Sequence, residues 1–228
     1  MTAFLSTDRI QERIAAIQSS LSPQIRLIGV SKKMPSRVIR AAYECGLRDF
    51  GESRVQEAVA KQAELADLDG ITWHLIGHLQ ANKARKALTH FGWIHSLDSL
   101  KLAYRLNDLA AELFCTPSCC LQVKMVSDPP KYGFELQELW HALPELNRME
   151  HLKIVGLMTI PPLESSMADS QCIFNQAHDL AAQINSQNLD RLHITELSMG
   201  MSGDYPAAIA AGSTMIRLGA SLFGDRPA

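Results

Sequence analysis

The chain has 228 residues, 46% hydrophobic and 20% charged, with 22 Lys+Arg against 24 Asp+Glu and a formal charge of −2. This composition excludes disorder and fibrous repeats, and the near-neutral charge removes the electrostatic case for nucleic acid or an anionic membrane as partner. No apolar run approaches the roughly 18–20 residues of a membrane span; the charged, amphipathic N-terminus is not expected to act as a secretory leader, and five cysteines are consistent with a reducing cytoplasm.

The predicted elements alternate. An amphipathic helix opens the chain, with Ile10, Ile14, Ile17 and Leu21 on one stripe. A strand at Arg26–Ser31 follows, and Pro35–Ser36 introduce a helix that stops at Gly46. The second strand is Arg48–Gly51, with the helical SRVQEAVAKQAELA behind it; the third is Ile71–Gly77, followed by ANKARKALTHF. The fourth is Trp93–Leu97 with KLAYRLNDLAAELF, and the fifth is Cys119–Val126, then a polar loop at Asp128–Gly133 and ELQELWHAL. The sixth strand, Leu152–Ile160, ends at Pro161–Pro162, and a long helix spans about 168–187. A seventh strand at Ile194–Leu197, a short helix near Ala207–Ala211 and an eighth strand at Met215–Leu218 complete the series.

Eight continuous apolar strands separated by helices, with no linker or composition shift, predict one domain over residues 1–228. A doubly wound open sheet is the alternative. The count of eight and the even spacing favour a single (β/α)8 barrel, with the N-terminal helix standing in for the missing last one.

Barrel chemistry gathers at the C-terminal ends of strands, and phosphates often sit at the loops after strands seven and eight. There the chain places Lys32, Glu52, Ser53, His78, His95, Asp98, Met158 and Thr159. It also places Ser198-Met199-Gly200-Met201-Ser202-Gly203-Asp204 and Arg217-Leu218-Gly219-Ala220-Ser221. The two Gly/Ser loops combine close backbone approach with donor hydroxyls. Lys32 is a candidate amine, although Lys33 is equal on composition. A partly desolvated lysine can form a Schiff base with an aldehyde, and pyridoxal 5′-phosphate (PLP) requires an amine, a phosphate cradle and a ring-nitrogen partner. Arg217 suits the last role, but it could equally cap carbonyls or pair with Glu196. His74 and His78, about 13 Å apart on a strand, cannot share a metal. Cys115, Cys119 and Cys120 lack a second ligand pair for zinc. The basic helix start at Asn82, Lys83, Arg85 and Lys86 reads as a solvated face.

The segments GVSKKMP, DFGESRVQEA, WHLIGHLQANK, GLMTI, LSMGMSGDYPAAIAAGSTMIRLG and LFGDR together resemble the pyridoxal phosphate homeostasis protein family over nearly the whole chain. The resemblance implies a barrel similar to the N-terminal domain of alanine racemase, bound PLP, and a monomeric role in vitamin B6 and amino-acid homeostasis without established turnover. It implies Lys32 as the Schiff-base residue. Ser198, Met199, Gly200, Ser202 and Gly203 would form one part of the cofactor site, with Gly219, Ala220 and Ser221 as the other. Arg217 would neighbour the ring nitrogen, with Met158 and Ser53 nearby. Two positions depart from the family pattern: Ser53 replaces an Asn, and Ala220 replaces a Thr or Ser. Related racemases and decarboxylases add a second domain that a chain ending ten residues after Leu218 is not expected to contain. The competing readings are such an enzyme, or a regulatory adaptor with structural PLP; recipient apoenzymes or a regulatory protein are the expected partners.

Overall fold

The computed structural model describes residues 5–128 and 131–224. Eight parallel strands close into a barrel in chain order, so the (β/α)8 reading holds and the open sheet does not. The strands are β1 (Arg26–Val30), β2 (Asp49–Glu52), β3 (Thr72–Leu75), β4 (Trp93–Leu97), β5 (Ser118–Gln122), β6 (Lys153–Met158), β7 (Glu196–Ser198) and β8 (Met215–Leu218). The helices around them are α1 (Thr7–Ser20), α2 (Ser36–Glu44), α3 (Val55–Glu64), α4 (Ala84–His90), α5 (Leu100–Glu112), α6 (Leu136–Leu146), α7 (Met167–Asn185), α8 (Tyr205–Ala210) and a short α9 (Ala220–Phe223).

Local sequence explains the element starts. Ser6, Ser99 and Ser166 cap α1, α5 and α7 through their hydroxyls, and Asp169 completes a capping box at α7. Gly46 ends α2 at φ +88°, where a side chain would be strained. The expected fifth and sixth strands run past the observed ends of β5 and β6; just beyond those ends the Val123 N–H donates to Met158 O, the Thr159 N–H to Ser198 O and the Thr159 hydroxyl to Val123 O.

Most of the apolar core lies between the strands and α3–α8. A second cluster joins Ile10 and Ile14 of α1 to Leu27, Ile216, Leu218 and Phe223, so α1 covers the β1–β8 seam that the tiny α9 cannot cover alone. The inside of the barrel differs from the usual layers of branched apolar residues. His95 on β4 bonds Ser198 on β7, two strands that are not neighbours in the sheet, so this contact runs through a polar interior.

Candidate functional site

The β1–α2 turn that carries Lys32 is held from behind. The Lys61 ammonium on α3 donates to Ser31 O at 2.8 Å, Glu52 Oε1 at 2.8 Å and Glu57 Oε1 at 2.7 Å. Ser31 Oγ donates to the same Glu52 oxygen at 2.6 Å, and Glu57 accepts the N–H of Lys33, whose φ is +63°. Left-handed backbone is unfavourable for lysine, so this bond holds a turn that Lys33 would not adopt unaided. Lys61 and Glu52 are buried, and Glu52 Oε2 has no hydrogen-bond partner among the described residues. Burial pushes the Glu52 carboxyl up from its ordinary range, against the pull of Lys61. Lys32 itself is half-buried and Lys33 exposed, which separates two lysines that composition left equal.

Because β1 pairs with β8, with Gly29 in register with Leu218, this turn adjoins the loop after β8. In that loop the N–H groups of Gly219 and Ser221 donate to Ser202 Oγ at 3.3 and 3.2 Å. Ser202 belongs to the loop after β7, so hydroxyl and amide donors from two loops converge beside the Lys32 turn. Asp204 braces the β7 loop by accepting the Met201 N–H at 2.6 Å. Gly200 sits at φ +93°, where a Cβ would lie 2.6 Å from Ala208 Cβ. Gly203 and Ala220 are exposed, and the Ala220 carbonyl accepts a bond from Arg13 of α1.

The structure separates the two serines that sequence grouped together. Ser202 is in the loop; Ser198 is fully buried in the barrel, with its Oγ 2.6 Å from Arg217 Nη1. Arg217 also donates to the carbonyls of Ser198 and Thr159, so the carbonyl-capping reading is realised, while Glu196 accepts from Thr214 instead. Among the described residues the three hydrogen-bond acceptors of Arg217 are uncharged oxygens, and burial pulls its pKa down to about 10 against the opposing pull of Cys120 and Asp204. Met158 is buried at the end of β6 next to Thr159, whereas the Met199 side chain packs in the apolar core behind β7.

Two clefts flank the mouth. Ser53, Arg54, His78 and Lys83 line one of about 410 Å³, and Met201, Gly203, Asp204 and Lys131 line the other, of about 360 Å³. A Cβ on Gly77 would meet Ser53 O at 2.5 Å, so glycine is what lets the two loops of the first cleft close together. His78 bonds Asp98 at 2.6 Å and stacks on Tyr132, ring centroids 3.5 Å apart, which brings the β5–α6 loop to the rim. His74 serves a different network and shares nothing with His78. Cys119 and Cys120 are buried in β5, and burial pushes the Cys119 thiol up to about 12. Lys61 does not stand out in the sequence as a site residue; the signals for it are the i,i+4 spacing from Glu57 and its place on the buried Val55–Ala58 stripe of α3.

The alanine racemase N-terminal domain family model matches residues 5–227. The pyridoxal phosphate homeostasis protein of Synechocystis sp. is 51% identical over 210 residues, covering 92% of this chain and 95% of that protein. Its Escherichia coli K12 counterpart is 39% identical over 215 residues, covering 93% and 91%. The solved structure of PipY from Synechococcus elongatus with PLP bound matches with a TM-score of 0.90 and 52% identity, over 94% of this chain and 100% of that one. An alanine racemase of Clostridium difficile shares the fold at a TM-score of 0.74 and 17% identity, this chain spanning 57% of its length. Lying within the racemase-type barrels by fold and matching these relatives nearly end to end, the chain belongs to the pyridoxal phosphate homeostasis protein family.

Proposed function

We propose that this chain binds pyridoxal 5′-phosphate at the C-terminal mouth of its barrel and holds it for vitamin B6 and amino-acid homeostasis, without turnover of its own. The observation that carries the reading is Arg217, a residue only 4% exposed whose hydrogen-bond acceptors among the described residues are all uncharged. A buried cation is costly unless an anion or strong acceptor meets it, and a pyridine nitrogen offers a lone pair. The surroundings fit the rest of the cofactor. Ser202 with the Gly219 and Ser221 amides suits a phosphate, the half-buried Lys32 provides an amine across the β1–β8 seam, Ser53 lines the adjoining cleft and Met158 is buried at the end of β6. Ala220 has no hydroxyl to add, leaving Ser202 and Ser221 as the hydroxyl-bearing side chains of the two loops.

PLP supplies an aldehyde that an amine can capture and a ring that can draw off electrons. Arg217 restrains the second capacity. A cation beside the ring nitrogen disfavours its protonation, and an unprotonated pyridine is the weaker electron sink. That supports a holder rather than a racemase or decarboxylase; the likeness to alanine racemase is one of fold. Among the described residues no helix is long and apolar enough to cross a membrane, and all five cysteines are free. Our reading is a cytoplasmic single-domain monomer with recipient apoenzymes or a regulatory protein as its partners, a reading that the free cysteines support, since thiols persist in a reducing compartment.

Borohydride reduction of PLP-loaded protein should fix a phosphopyridoxyl group on Lys32, located by peptide mass mapping; finding it on Lys33 would defeat the assignment. Incubation with L-alanine, followed by chiral chromatography, should show no multiple turnover. Turnover at about 1–10³ s⁻¹ that disappears in Lys32→Ala would establish an enzyme instead.

A further inference from the structure

Behind Arg217 a chain of buried polar groups crosses the barrel. Arg217 Nη1 lies 2.6 Å from Ser198 Oγ, and Ser198 Oγ lies 2.8 Å from His95 Nδ1. His95 Nε2 lies 2.9 Å from His74 Nδ1, and His74 Nε2 lies 2.9 Å from Asp49 Oδ1. Ser198, His95 and His74 are fully buried, and Trp93 stacks on His74. Asp49, at the start of β2, is partly open to solvent and also pairs with Arg26 at 3.5 Å.

The two ends determine the direction of every bond. A carboxylate only accepts, so His74 donates through Nε2–H; a neutral imidazole has one N–H, so His74 Nδ1 must accept. It therefore takes the Nε2–H of His95, whose Nδ1 is left to accept from the Ser198 hydroxyl. Ser198 Oγ is then an acceptor toward Arg217, whose guanidinium only donates. All the donors point from Arg217 to Asp49. Adding a proton to either histidine would set two N–H groups against each other or against a hydroxyl hydrogen, in a space closed to water. Desolvation together with the charges of Arg217 and Arg26 likewise opposes a proton on His95.

We propose that His95 and His74 are positioning residues for the cofactor's ring nitrogen: through Ser198 they fix Arg217 as a permanent donor toward it. The proposal rests on the PLP reading above. With His95 present, the Ser198 hydrogen is committed away from Arg217, and the guanidinium has a fixed acceptor that orients it. Without His95, the Ser198 hydroxyl rotates freely and the guanidinium loses that reference. The relay thus places the control of ring-nitrogen protonation on strands β3 and β4, far from the Lys32 turn and the phosphate loops.

Two measurements test it. In protein free of PLP and labelled with ¹⁵N-histidine, His74 and His95 should both show bare Nδ1 and protonated Nε2, unchanged between pH 6 and 8. A protonated imidazole or the opposite tautomer at either position overturns the relay. In protein reconstituted with ring-¹⁵N PLP, His95→Leu and Ser198→Ala should move the pyridine ¹⁵N resonance in the same direction and weaken PLP retention about tenfold. The double variant should add little to either, and His95→Gln, which keeps an acceptor and a donor, should restore part of the shift. A folded His95→Leu or Ser198→Ala variant with the wild-type resonance and retention defeats the proposal, and Ser198→Ala alone decides if His95→Leu does not fold. Failure of wild-type protein to take up PLP defeats the functional reading itself, an outcome distinct from unchanged variants of a protein that does bind it.

Discussion

Replacing Lys61 with methionine keeps most of the aliphatic stem and removes the ammonium that ties Ser31, Glu52 and Glu57 together at 2.7–2.8 Å. Breaking a buried ion pair from one side typically costs about 3–5 kcal/mol. The lower end applies here, because the Glu57 side chain is 24% exposed and can be rehydrated, while Glu52 can take up a proton. At about 3 kcal/mol, and about 2–4 °C per kcal/mol for a chain of this size, the melting temperature should fall by roughly 6–12 °C. The sign of the pH dependence is specific. Glu52 already has a raised pKa from burial, and Lys61 is the main group pulling it down. Without Lys61 the pKa rises further, and stability held below the ordinary carboxyl value is lost as pH climbs through the raised one. Urea denaturation should therefore show a gap between wild type and Lys61→Met that is wider at pH 8 than at pH 5. The added change Glu52→Gln should narrow it by removing the charge left stranded. PLP retention should also drop, since the Lys33 bond to Glu57 loosens with the cluster. A gap that does not change with pH, or a double variant less stable than Lys61→Met, would refute this account of the Lys32 turn.

Three further outcomes are expected. Ser202→Ala removes the hydroxyl on which the Gly219 and Ser221 amides converge; at roughly 1.5–3 kcal/mol for a bond to a charged group, PLP retention by equilibrium dialysis should weaken about ten- to a hundredfold. Pyridoxal lacking the phosphate should be indifferent to the change, and equal losses for both ligands would place the serine elsewhere. Gly200→Ala puts a Cβ 2.6 Å from Ala208 and 3.0 Å from the Tyr205 backbone at φ +93°, so α8 and the β7 loop must shift; a variant with unaltered melting temperature and PLP retention contradicts that geometry. Stability should decline as pH falls below about 6.5, because the unfolded chain protonates His74 and His95 while burial lowers their folded pKa values. Each histidine contributes up to about 1.4 kcal/mol per pH unit, outweighing the opposite contribution of the single Glu52 carboxyl. His95→Gln should flatten the slope between pH 6.5 and 5, and an unchanged slope counts against a neutral buried His95.

The barrel was legible in the sequence because helix-covered parallel strands must be continuous apolar runs and helices must be striped, so eight repeats of the two periods leave few closures. Strands β4 and β8 fall where the runs end, at Trp93–Leu97 and Met215–Leu218. Lys32, Ser202, Gly219 and Arg217 could be picked out as well, since each follows or ends a strand whose C-terminal end faces the mouth. Tertiary structure alone decided which partners those residues have. Composition leaves Lys32 and Lys33 equal; in the structure Lys32 is half-buried, while the exposed Lys33 gives its backbone N–H to Glu57. Ser198 reads from sequence as a donor grouped with Ser202, whereas in the structure it is buried inside the barrel with its Oγ 2.6 Å from Arg217 Nη1. The reason is that strand pattern reports burial but not which side of the wall a polar side chain takes or what it meets there. Asp49, His74 and His95 lie on three strands in successive steps of 25 and 21 residues along the chain, and only the closing of the barrel aligns their hydrogen bonds behind Arg217.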